Sequence, residues 1–273
     1  MVGKRLVKDL TSPDIVAFQR DVLAGKTASV IKTKPHGKAV VRGGPGTAAR
    51  TVGLLGAILT YARSKGLIDS NPMHGVQKPA DRRRDVKITP ALYAALGKAL
   101  ADAEAAGVNP IPIRIARVLA LSGCRRGEIE KLRWSEADFE NRCLVLAETK
   151  TGGSVRPLGS AVLDLLDEQR AFSRRGYVFS LDGGKAPYRG FPKAWQRMIG
   201  GTEVEHLIPH GLRHGFASVA AELGYSDPVI GAILGHSSGT VTSRYTHLPD
   251  ATLVHAADQI SSTLLIRLRG SPP

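Results

Sequence analysis

The segment from Ile111 to Leu121 sets the strongest constraint on this chain. It is strongly apolar over the length of a helix, so it reads as a buried helix rather than a surface one. A buried helix needs other elements packed around it, and the flanking sequence supplies them. Ahead of it, Thr89-Pro90 opens a capped helix that runs to about Ala105. Beyond it, the pattern changes to strand at Cys143-Leu144-Val145-Leu146. Gly152-Gly153 then makes a turn, and Val155-Arg156-Pro157-Leu158 returns as the partner strand. This is the one convincing hairpin. A helix from Ala161 to Phe172, a loop through Gly183-Gly184 and further helices complete the chain. The expected fold class is mainly α with a small antiparallel β-sheet.

The first part of the chain is organised differently. Leu10 to Leu23 suits an amphipathic helix, with Thr11-Ser12-Pro13-Asp14 as its cap and Ile15, Val16, Phe18, Val22 and Leu23 as its apolar face. A second helix is expected from Thr47 to about Lys65, carried by Leu54, Leu55, Ile58, Leu59 and Tyr61. Gly66 serves as its C-terminal cap, and Asn71-Pro72 closes the unit. Between the helices, Lys32 to Lys38 and Arg42 to Gly46 read as a basic, Gly/Pro-rich loop. Residues 1–80 therefore form a small helical domain, residues 81–88 a basic linker, and residues 89–273 a second domain.

The length of 273 residues, with 42% apolar and 23% charged side chains, suits a globular protein with a real core and excludes global disorder. The formal net charge of +14 points to a polyanionic partner, most often nucleic acid. Lys32, Lys34, Lys38, Arg42 and Arg50, with Arg82, Arg83 and Arg84 of the linker, are the candidates for phosphate contacts. No segment has the run of about 18 apolar residues that a membrane span needs. The charged N-terminus leads into no apolar signal region. The two cysteines, Cys124 and Cys143, cannot build a disulfide framework or a four-thiolate zinc site. No membrane partner is expected, and the expected compartment is the cytoplasm.

Four clusters carry chemistry. In Ser122-Gly123-Cys124-Arg125-Arg126-Gly127-Glu128, an apolar helix ends in a turn, and Glu128 lies one helical turn beyond Arg125, where it can anchor the guanidinium. In Glu148-Thr149-Lys150-Thr151-Gly152, Lys150 sits at the hairpin tip. In Pro209-His210-Gly211-Leu212-Arg213-His214, His210 and Arg213 share a helix face, an arrangement suited to an anion undergoing proton transfer. In Leu234-Gly235-His236 and Arg244-Tyr245-Thr246-His247, a histidine is followed by a tyrosine. The histidines do not have the spacing of a metal motif. No nucleotide-binding glycine loop or nucleophile elbow is present, so no metal and no cofactor is expected.

Taken in order, Arg with a following Glu, Lys on a turn, His-x-x-Arg, Gly-His and Tyr, the clusters resemble the tyrosine recombinase (phage integrase) family from about Thr89 to Leu248. The resemblance implies a two-domain architecture, a helical core-binding domain plus a mixed α/β catalytic domain. It also implies site-specific cutting and rejoining of DNA through a 3′-phosphotyrosine intermediate, without metal or ATP. Tyr245 would be the nucleophile. Arg125 and Arg213 would bind the non-bridging oxygens, and Lys150 would protonate the leaving 5′-oxygen. His210 would assist proton transfer at the tyrosine, His236 would donate a hydrogen bond to the phosphate, and Glu128 would support Arg125. Gly211 stands where the family often has Asp, and Arg126 where a smaller residue is common; neither removes a reacting group.

The partners implied are double-stranded DNA and further copies of this chain, a monomer in solution becoming a tetramer on DNA. Accessory DNA-bending or directionality factors, and a nucleoid-associated bacterial or phage setting, also follow from the resemblance. So does a C-terminal tail helix, from Ala251-Val254 and Ile260 to Leu268, that docks on a neighbouring protomer. Two other readings share these residues: a type IB topoisomerase, and a DNA-binding protein that keeps the fold without the chemistry.

Overall fold

The computed structural model describes residues 5–33, 37–79, 88–149, 152–235 and 250–270. The chain divides into two compact units, Met1–Asp85 and Val86–Pro273. In the first, α1 (Ser12–Leu23) packs against α2 (Pro45–Ser64) around Ile15, Val52, Leu59 and Met73. The expected cap forms: Thr11 and Asp14 exchange hydrogen bonds as a capping box. Asn71-Pro72 closes the unit by direct bonds. The Asn71 side chain donates to Thr60 Oγ1 (3.0 Å) and accepts from the Met73 N–H (2.9 Å), while Ser12 Oγ donates to the Pro72 carbonyl (2.7 Å).

The segment read as a basic loop, from Lys32 to Lys38, is flanked by two strands that the sequence reading did not anticipate. β1 (Ser29–Lys32) and β2 (Lys38–Val41) pair antiparallel, with Lys32 opposite Lys38. All eight residues are exposed. A ribbon that buries neither face leaves no alternation between apolar and polar positions for a sequence reading to find.

The second unit is built on α4 (Pro110–Ser122). Its apolar residues from Ile111 to Leu121 are all buried, as the sequence demands. Around it lie α3 (Pro90–Ala105), α6 (Ser160–Gln169), α7 (Phe191–Ile199), α8 (Pro209–Glu222) and α10 (Ala251–Leu268). A short helix, α5 (Arg126–Glu130), follows α4, and α9 (Asp227–Leu234) follows α8. The sheet has three antiparallel strands in sequence order, β3 (Ala137–Asp138), β4 (Cys143–Thr149) and β5 (Gly152–Pro157). Gly152 and Gly153 belong to β5 rather than to a turn, and Thr149 pairs with Gly152. Among the described residues, no helix is long and apolar enough to cross a membrane.

In this chain α10 packs on its own unit, burying Ala256, Ala257, Ile260, Ser261 and Leu264. Asp258 fastens it: one carboxylate oxygen accepts from the Ser160 N–H (2.6 Å), Ser160 Oγ (2.8 Å) and Arg142 Nη2 (2.7 Å). An apolar helix face has the same pattern whether its own chain or another copy covers it, so sequence could not decide between them. Ending the chain at Gln259 should therefore expose the core and lower the melting temperature sharply, rather than leave the monomer intact. Asp258→Ala should cost about 1–3 kcal/mol in urea unfolding, the range for charge-assisted bonds at a helix start.

Candidate active site

Gly123 ends α4 with φ +63°, a conformation that an L side chain adopts only under strain. A Cβ there would also lie 2.7 Å from Leu234 Cδ2 and 2.8 Å from Phe216 Cγ. The close approach brings two main-chain carbonyls to one arginine. Arg213 Nη1 donates to the Gly123 carbonyl and Nη2 to the Leu234 carbonyl, each at 2.9 Å. Leu234 is the last residue of α9, so its carbonyl is among those a helix leaves unpaired and its dipole end favours a cation. Arg213 is 5% exposed. Burial lowers its pKa to about 10, with the Arg125 charge adding to the effect, so it remains a cation at neutral pH.

Arg125 caps α5 and is anchored by Glu128 as the spacing predicts. Its N–H donates to Glu128 Oε2 (2.8 Å), and its Nη1 to Oε1 (2.9 Å). The same Oε1 accepts from Arg156 Nη2 (2.9 Å). Burial alone would push the Glu128 pKa up. The Arg156 charge, the Arg125 N–H and the bonds from both guanidiniums outweigh it and hold the carboxyl below its ordinary value.

His210 sits in the first turn of α8 and meets His214 edge-on, 4.8 Å between ring centroids. Lost solvation, then the charges of His214, Arg213 and Arg125, hold its pKa below the ordinary 6.5, so it is neutral at pH 7. A neutral imidazole can accept a proton. Two guanidiniums share the Glu128 carboxylate and a third, Arg213, is held by main-chain carbonyls, so the cluster keeps a surplus of positive charge, which suits an anionic group undergoing proton transfer.

Arg125, Glu128, His210 and Arg213 are thus brought together by α5 and α8. Lys150, His236 and Tyr245 lie outside the described residues, as do Lys34 and Arg82 to Arg84. Lys32, Lys38, Arg42 and Arg50 belong to the first unit and are exposed. Sequence reasoning missed Arg156, which is 1% exposed. The available signal was the strand pairing: Arg156 lies opposite Leu144, whose side chain points into the core, while Val145 points out.

A mainly helical unit with a three-stranded sheet and a carboxylate-anchored arginine cluster defines a candidate site for phosphate chemistry. The sequence model of the phage integrase family matches residues 92–252, more than half of the chain. The chain belongs to this family, the tyrosine recombinases. Among relatives, it is 29% identical over 262 residues to the shufflon-specific DNA recombinase of Escherichia coli, covering 94% of this chain and 63% of that protein. It is 28% identical over 142 residues to the prophage integrase IntF of Escherichia coli K12, covering 50% of this chain and 30% of that one. Thus the chain spans less than two thirds of either relative. The tyrosine recombinase XerC of Roseiflexus castenholzii is 26% identical over 270 residues, covering 90% of this chain and 77% of the relative. In fold, the chain resembles lambda integrase (75–356), solved as a dimer bound to a COC′ core site. That match has a TM-score of 0.60 at 18% identity, covering 85% of this chain and 81% of that one. The Tn1549 transposon integrase (82–397), solved with circular intermediate DNA, matches with a TM-score of 0.59 at 18% identity, covering 94% and 87%.

Glu128→Gln should cost about 3 kcal/mol at pH 7, because it leaves the Arg156 guanidinium buried without its counter-charge. The sign with pH follows from the lowered carboxyl. Its contribution is full above the ordinary 4.5 and is lost as pH falls through the folded value. Urea unfolding of wild type and variant should therefore converge in acid.

Proposed function

We propose that this protein is a site-specific DNA recombinase or integrase that cuts and rejoins DNA strands through a 3′-phosphotyrosine intermediate. The observation that carries the reading is Arg213, a buried guanidinium held by two main-chain carbonyls beside the Glu128-anchored Arg125. A guanidinium presents five N–H donors, and the two carbonyls engage only two nitrogens, so the fork can still face a phosphodiester. Arg125 and Arg213 bind its non-bridging oxygens and stabilise the charge that builds as phosphorus becomes pentacoordinate.

Tyr245 supplies the nucleophile. Its Oη attacks phosphorus, the P–O5′ bond breaks, and the leaving 5′-oxygen takes a proton from Lys150. The free tyrosine is a weak nucleophile at its pKa of about 10, so neutral His210 takes part by accepting its proton. His236 donates a hydrogen bond to the phosphate. The bond energy is retained in the phosphotyrosine, and attack by another strand's 5′-hydroxyl reverses the step. These assignments to Lys150, His236 and Tyr245 rest on the family motifs. The role of the Val86–Pro273 unit is catalysis, and that of the Met1–Asp85 unit is core-site binding.

Double-stranded DNA is the substrate, held by several copies of the chain, four at the strand-exchange stage; accessory bending or directionality factors join it. Lys32, Lys38, Arg42 and Arg50 of the first unit contact phosphates, as do Lys34 and Arg82 to Arg84. The Lys32–Lys38 pair supports this reading, since like charges directly opposite on a two-stranded ribbon destabilise it unless an anion lies between them.

The test is covalent trapping on a library of nicked suicide duplexes. Adducts on one sequence class, absent in Tyr245→Phe and reduced at least about 100-fold in Arg213→Gln, are expected. Adducts without sequence preference would move the assignment to a topoisomerase, and tight binding without adducts to a non-catalytic DNA-binding protein. Affinity should also fall steeply as salt rises from 50 to about 200 mM, because phosphate contacts release counterions. A flat salt response in a gel-shift titration would contradict the DNA-binding assignment.

A further inference from the structure

Arg156 is the least expected residue of the second unit. It is an arginine with 1% exposure, near the end of β5 and opposite the buried Leu144. Its side chain touches three segments at once. Nη2 donates to Glu128 Oε1 (2.9 Å), and through that oxygen it reaches Arg125, whose Nη1 bonds the same atom. Nη1 donates to the Val155 carbonyl (3.1 Å) and to Ser154 Oγ, both on β5. The face of the guanidinium lies against Gly235, the residue before His236. A Cβ at Gly235 would fall 1.6 Å from Nη1 and 2.2 Å from Cζ.

A merely structural arginine would be an expensive choice here. Buried ion pairs of this kind are commonly replaceable by apolar residues of similar volume without loss of stability. The Arg156 Nε–H, moreover, is buried with no partner among the described residues. What the guanidinium provides, and an apolar side chain could not, is directional bonding to a carboxylate whose other bonds orient Arg125. Glu128 accepts from the Arg125 N–H and from its side chain, so a shift of the carboxylate moves both ends of Arg125 together.

We propose that Arg156 is a positioning residue that sets the Glu128 carboxylate, and through it Arg125, against β5 and Gly235 at the end of α9. Gly235 is its counterpart: only a residue without a side chain lets the guanidinium lie flat beneath the start of the Gly-His segment. The proposal rests on the recombinase reading for its catalytic consequence, but not for its structural one.

Two variants test it while leaving Glu128 and Arg125 in place. Arg156→Lys keeps the charge but replaces the planar fork with one ammonium, which cannot hold Glu128 and the strand in the same geometry. Gly235→Ala leaves Arg156 present and displaces its guanidinium. Three quantities are measured for each: gel-shift affinity for the trapped duplex, the single-turnover rate of adduct formation at saturating duplex, and hydrogen exchange of the Arg125 amide relative to the core amides of α4. The expected result is unchanged affinity, an adduct rate lowered about 10- to 100-fold as for an ångström-scale misplacement, and faster exchange at Arg125 alone. If both variants keep the wild-type rate and the wild-type Arg125 exchange, the proposal is overturned. Exchange that rises equally at Arg125 and throughout α4 would also overturn it, since that marks a general loss of stability. If the wild-type protein forms no adduct, the recombinase reading has failed, and Arg125 exchange by itself decides the positioning role.

Discussion

The Glu128 carboxylate is shared by an amide and two guanidiniums, and the arrangement of the site depends on that sharing. A carboxylate this far from water is costly unless cations and N–H groups replace its hydration. Arg156 comes from the sheet and Arg125 from the cap of α5, and Arg156 could not be buried so deeply without the acid between them. The pairing therefore stabilises the junction of sheet and helix and, in the same contacts, determines where the Arg125 guanidinium points. Folding and candidate chemistry are here one set of hydrogen bonds rather than two.

The second anchor works by a different principle. Arg213 faces no carboxylate; it is held by the carbonyls of Gly123 and Leu234, where α4 and α9 end. The long apolar helix matters for this reason as well as for the core. Its burial fixes the position of its end, the left-handed Gly123 lets Phe216 and Leu234 close over that end, and the exposed carbonyls then receive Arg213. Helix α10 contributes from outside, covering the core that holds α4, α6 and α8 in register and locking to Ser160 through Asp258.

Much of this was legible before any coordinates. The caps of α1 and α3 are side chains of the expected type at the expected place, because capping is a local matter decided within four residues. The Arg125–Glu128 pair was legible for the same reason, since three residues along a helix start bring the groups together. The β1–β2 ribbon was not, because with every residue exposed the pattern carries no buried face. Arg156 was not, because an arginine in a strand reads as an outward-facing residue until the pairing with Leu144 is known. The covering of α10 was not, because amphipathicity says that a face is buried and is silent about what buries it.

The sequence by itself determined the helices α1 to α4, the caps of α1 and α3, the position of the main hairpin, the basic character of the chain and the order of the motif residues. Each of these follows from interactions within a few positions or from composition. Only the tertiary structure decided which carbonyls receive Arg213, that Arg156 enters the core to meet Glu128, and that α10 closes its own unit. These contacts join residues as far apart as Gly123 and Arg213, or Glu128 and Arg156. Their formation depends on how whole elements pack, where desolvation, close approach at glycine and the strand register act together, and no local pattern records that outcome.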